Sequence, residues 1–138
     1  MLSAQDLMNA PGLISRERNN LSIIEKSELI DATRWSVDFS FDQIKKLARY
    51  MSAYDVPKDT VLFCEGEKNV YMVLIIKGRV DVVKFDSSRT PIKITTLGPG
   101  KTIGEMSIID GEPRSASAVT GSEATLFVMT ADQLSDLN

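Results

Sequence analysis

Between Ser40 and Tyr54 the apolar residues Phe41, Ile44, Leu47, Ala48 and Met51 recur at intervals of three and four, which predicts a helix with one buried stripe. Ser40 stands just before that stripe, where its hydroxyl is suited to cap the first turn. Upstream, "LSIIEKSELIDATRW" sets Ile23, Ile24, Leu29 and Ile30 among charges, a looser pattern that predicts a shorter helix leading into the domain. After Pro57 the period changes to β-branched and aromatic runs, broken by "EGEK", "KGR", "DSSRTP", "LGPG", "DGEP" and "TGSE". Breaks at roughly ten to fifteen residues suit an all-β sandwich or roll. Val80 and Val82 alternate with Arg79 and Asp81, and Ile92 and Ile94 flank Lys93, so these strands should turn one face to water. "VYMVLII" and "ATLFVM" are more uniformly apolar and should be central, and "TADQLSDLN" should open a helix at Thr130.

Length and composition narrow the function. With 138 residues and 43% hydrophobic content the chain suits one domain with a proper core. The longest apolar run, "MVLII", falls far short of the roughly 20 residues of a membrane helix. Asp6 and Pro11 interrupt the opening segment, which reads as a loose leader on a cytoplasmic protein, and the single Cys64 agrees with a reducing compartment. Sixteen basic residues against nineteen acidic ones give net charge -3 without a basic block, so no footprint for nucleic acid is expected. The chain contains 0 histidines, which removes the serine-histidine hydrolases and the imidazole-based metal sites and makes catalysis a poor expectation.

The chemistry-bearing stretch is "TIGEMSIIDGEPRSASAV", Thr102 to Val119. Two readings are open. In the first, Asp110-Gly111 makes a two-residue hairpin turn and Glu105 and Arg114 are solvated edge charges. Pro113 cannot donate to such a ladder, and Ser115, Ala116, Ser117 and Ala118 offer no cross-strand bulk, so something else should approach their backbone. In the second, "GEMSII" forms one helical turn after Gly104, and the chain brings Arg114 back beside it. Free N–H groups and a guanidinium fork would then face one anion. Glu105 makes sense there only as acceptor from a hydroxyl of the same ligand, which points to a sugar phosphate.

Gly-Glu, seven residues, then Pro-Arg-Ser-Ala resembles the phosphate-binding cassette of the cyclic nucleotide-binding domains, and "TVLFCEGEKNVYMVLIIKGRVDVV" is similar to that family's pair of glycine turns, here Gly66 and Gly78. The resemblance covers about Phe39 to Leu134. It implies a mainly β fold: an eight-stranded antiparallel β-roll, jelly-roll-like, with flanking N-terminal helices, a short cassette helix and the start of a C-terminal helix. It also implies that Glu105 accepts the ribose 2'-hydroxyl and Arg114 pairs with the exocyclic phosphate oxygens. The N–H groups of Ser107 and Ser115 would complete the phosphate shell, and Gly104 would give the ribose room. Ile108 matches the position that moves when phosphate binds.

The expected organisation is residues 1–38 as leader and N-terminal helical segment and 39–138 as binding domain. The expected contacts are Gly104, Glu105, Met106, Ser107, Arg114, Ser115 and Ala116. On this reading the chain has no cofactor or metal; its ligand is cAMP or cGMP. It acts on neither nucleic acid nor membrane by itself, and reports to an effector or a second copy. Arg114 would serve the ligand, with little effect on the ligand-free fold. The competing expectation keeps the fold without the nucleotide, as a degenerate domain with a protein-interaction surface. In the family the chain continues through a longer C-terminal helix that covers the base, so the resemblance implies that the lid, the output and most base discrimination are either absent or outside this sequence.

Overall fold

In a computed structural model the protein is described for residues 2–13, 16–68, 71–104 and 113–136. Helices α1 (Ala4–Asn9), α2 (Ile23–Asp31) and α3 (Phe41–Tyr50) lead into eight strands, and α4 (Ala131–Asp136) follows. The strands are β1 (Ser52–Val56), β2 (Val61–Phe63), β3 (Tyr71–Lys77), β4 (Val80–Phe85), β5 (Pro91–Leu97), β6 (Thr102–Ile103), β7 (Ser117–Thr120) and β8 (Ala124–Thr130). They form two antiparallel four-stranded sheets, ordered β1-β8-β3-β6 and β2-β7-β4-β5. The mainly β roll expected from the sequence is the fold observed. The cassette-helix expectation falls in 105–112, outside the described residues.

The uniform apolarity of β3 and β8 has a two-sided cause. Val73, Ile75, Leu126 and Val128 face the core between the sheets, together with Tyr54, Leu62, Phe63 and Val80. Their alternates Leu74, Ile76, Phe127 and Met129 face outward into a second core formed with Ile30 of α2 and Ile44 and Ala48 of α3. Alternation is still present, but both faces are apolar because both are covered. Each aliphatic side chain fully buried this way contributes about 1.5–3 kcal/mol.

The N-terminal helices begin on one device. Ser3, Ser22 and Ser40 each accept from the N–H three residues on, and the side chains of Asp6, Glu25 and Gln43 accept in return from the cap's own N–H. These reciprocal boxes satisfy two otherwise free donors per helix and fix where it starts. Ser40→Ala is expected to lower stability by about 1 kcal/mol, measured as a shift in urea midpoint at unchanged slope.

Three sequence expectations need correction. The leader is docked, not loose: Leu7 of α1 is buried with Val61, Cys64 and Val119, Leu13 is buried in the central core, and Asn19 N–H donates to Ala53 O at 2.7 Å. Those contacts are long-range, so the polar interruptions at Asp6 and Pro11 gave no sign of them. The β region starts at Ser52, ahead of Pro57: the stripe that reads helical through Tyr54 ends at Met51, whose N–H still donates to Leu47 O while its backbone is already extended. Ala53 continues the outer core, and Tyr54 and Val56 enter the central one. Finally, Ile92 and Ile94 are 47% and 57% exposed. Their strand β5 is an edge bonded to β4 alone, and among the described residues the buried clusters reach only its end, at Leu97.

Candidate functional site

Arg114 stands at the entrance to β7 and is 3% exposed. Its backbone is fixed first: Arg114 N–H donates to Glu67 O and Gly66 N–H donates to Arg114 O, both at 2.8 Å. Gly66 (φ +90) makes the turn that presents those groups, the positive φ that glycine adopts without strain. The side chain then runs inward. Nη1 donates to Gly104 O at 3.0 Å and Nη2 to Tyr71 O at 2.6 Å. The guanidinium carbon lies 4.1 Å from the ring centroid of Phe63 and 4.9 Å from that of Tyr71, within the range of cation–π attraction. Those rings meet edge to face at 6.2 Å, and the Tyr71 hydroxyl donates to Leu62 O. Burial pushes the Tyr71 phenol well above its ordinary range, so it stays a neutral donor beside the cation.

Gly104 is held on the other side of the same guanidinium. Its φ is +85, and a Cβ there would overlap Arg114 Nη1 and come within 2.9 Å of Tyr71 O. Glycine is therefore required at 104 by backbone conformation and by Arg114 before any ligand is considered.

Of the sequence-predicted site residues, Gly104 and Arg114 are brought together, Ser115 follows exposed and Ala116 half-buried. Glu105, Met106 and Ser107 lie outside the described residues, as does Ile108. The expectation that Arg114 matters little to the ligand-free fold is corrected, because two main-chain carbonyls and two rings depend on it. The run of small residues is also partly explained from within. Ser117 and Ala118 belong to β7, between β2 and β4, and the Ser117 hydroxyl accepts from Glu65 N–H at 2.8 Å. The chain's own backbone makes that close approach. Sequence reasoning missed Phe63 and Tyr71; their one available signal was that they bracket the Gly66 turn. Cys64 is buried next to this turn, and burial raises its thiol, which disfavours a reactive thiolate.

A model of the cyclic nucleotide-binding domain family matches residues 55–137. The chain is 32% identical over 91 residues, 66% of its length, to a CRP-like cAMP-activated global transcriptional regulator of Mycobacterium tuberculosis, and the match covers 41% of that protein. It is 34% identical over 86 residues, 62% of its length, to a cyclic nucleotide-gated potassium channel of Rhizobium etli, of which 22% is covered. The crystal structure of a cyclic nucleotide-binding domain from Methylobacillus flagellatus superposes with a TM-score of 0.71 at 36% identity, covering 83% of this chain and 65% of that one. The chain belongs to the cyclic nucleotide-binding domain family. It spans about two fifths of the regulator's length and about one fifth of the channel's. Among the described residues no helix is long and apolar enough to cross a membrane.

Proposed function

We propose that this chain is a non-catalytic sensory module that binds a cyclic nucleotide, cAMP or cGMP, within residues 39–138. Its contacts are Gly104, Glu105, Met106, Ser107, Arg114, Ser115 and Ala116, and occupancy is passed on through movement of the C-terminal helix to an effector or a second copy. The observation that carries this reading is the placement of Arg114: a nearly buried guanidinium held against Gly104 O at 3.0 Å, so that residues on either side of segment 105–112 meet. A cation fixed in a low-dielectric setting attracts a phosphate more strongly than one in water, and the missing side chain of Gly104 is what lets the guanidinium sit there.

Equilibrium titration with cAMP, cGMP and their linear monophosphates tests this. The cyclic ligand is expected to bind preferentially, and at 100 times its dissociation constant to stabilise the fold by about 2.7 kcal/mol through mass action. A second reading draws on the same arginine. Its bonds to Gly104 O and Tyr71 O and its packing on two rings would serve a domain that keeps the fold as a protein-interaction surface and has lost the ligand. No binding heat and an unchanged melting temperature at millimolar cAMP and cGMP would select it.

A further inference from the structure

A pocket of about 360 Å3 opens where the segment before α2 crosses the start of β1 and the end of α3. Three cations line it, Arg18, Lys26 and Arg49, with Asn20, Tyr50 and Gln133, and no carboxylate is among the described lining residues. Among the described residues none of the three makes an ion pair, although the chain as a whole carries net charge -3.

Two of these cations have a reason internal to the fold. Lys26 Nζ donates to Met51 O at 2.7 Å, and Arg49 lies in the last turn of α3, where the helix end favours positive charge. Arg18 has none of that kind. Its Nη1 reaches Ser52 Oγ at 3.4 Å, and the bridge from Asn19 to Ala53 ties its segment to β1. Arg18 is thereby kept near a like charge; burial, and then Arg18, push the Lys26 amine below its ordinary range. A like-charge arrangement held in place by backbone pairing is relieved by an anion seated between the charges.

We propose that this pocket is a second ligand site, independent of Arg114, that takes a molecule bearing a multiply charged phosphate group. Phosphate is favoured over carboxylate by donor count. Two guanidinium forks and an ammonium offer more N–H groups than the two oxygens of one carboxylate accept, whereas a phosphate offers at least three oxygens and up to two charges. The site shares no residue with the proposed cyclic nucleotide contacts, so either can fail alone.

The test is an amide-resolved NMR titration of the whole chain with pyrophosphate at constant ionic strength. Saturable shifts are expected at Asn20, Tyr50 and Ser52. Arg18→Gln and Arg49→Gln, both exposed side chains outside the buried clusters, are each expected to weaken binding about tenfold while the rest of the spectrum is unchanged. Non-saturating shifts, wild-type affinity in both variants, or shifts confined to Gly104 and Ser115 would each overturn the proposal. So would a short polyglutamate peptide that saturates the same amides at lower concentration than pyrophosphate, since the pocket would then belong to an acidic protein segment.

Discussion

Arg114→Lys is expected to lower the stability of the ligand-free protein by about 2–3 kcal/mol and, separately, to weaken cyclic nucleotide binding on the order of tenfold to a hundredfold. The stability loss follows from what the guanidinium holds. Its two terminal nitrogens donate to different carbonyls, Gly104 O at 3.0 Å and Tyr71 O at 2.6 Å, while its plane packs near Phe63 and Tyr71. An ammonium on a shorter, unforked stem cannot make both bonds and keep the ring contacts. A buried carbonyl left without its donor costs about 1–3 kcal/mol, and a desolvated cation–π contact is worth up to about 2 kcal/mol. The affinity loss has a different origin, the replacement of a planar two-oxygen grip by a point charge. Urea denaturation without ligand measures the first effect, and calorimetric titration under conditions where both proteins are folded measures the second. Lowered stability with wild-type affinity would make Arg114 a purely structural residue and remove the main support for the proposed phosphate contact.

That twofold role marks the boundary of what the sequence reveals. Strands β3 and β8 were legible because a continuous apolar run between turn signals has few other uses, and α3 because Phe41, Ile44, Leu47 and Ala48 recur at helical spacing after a serine cap. The approach of Arg114 to Gly104 was legible because the two are only ten positions apart in a stretch that must turn back on itself. What stayed hidden depends on partners far along the chain. Leu7 and Leu13 look like stray apolar residues until Val61, Val119 and the central core are placed beside them. Ile92 and Ile94 read as a buried face until β5 proves to be an edge. Arg114 reads as a free ligand contact until Phe63 and Tyr71, more than forty positions earlier, close around it. The serine at 117 has a partner of the same distant kind: its hydroxyl accepts from Glu65 N–H.

Glu105 is the residue whose proposed role has the largest consequence for ligand choice. A carboxylate beside a phosphate is repelled, so its proposed place makes sense only if it accepts from a hydroxyl on the same ligand. Replacing the ribose 2'-hydroxyl with hydrogen would leave that carboxylate desolvated with nothing to accept from, and the penalty would fall on the complex. An unmade hydrogen bond to a buried charged group costs roughly 2–3 kcal/mol or more, so the 2'-deoxy form of the preferred cyclic nucleotide is expected to bind on the order of a hundredfold more weakly. In Glu105→Gln and Glu105→Ala the difference between ribo and deoxy ligands is expected to shrink, because the uncompensated charge is gone from both complexes. Two ligands titrated against two proteins form a cycle that isolates this single interaction from everything else each substitution changes. The measurement needs neither the lid nor the effector, and it stays readable if the variant loses affinity overall, since only the ratio between ligands enters. Equal affinity of the unmodified protein for ribo and deoxy forms would show that Glu105 does not read the sugar, and an acid next to the phosphate would then need another explanation.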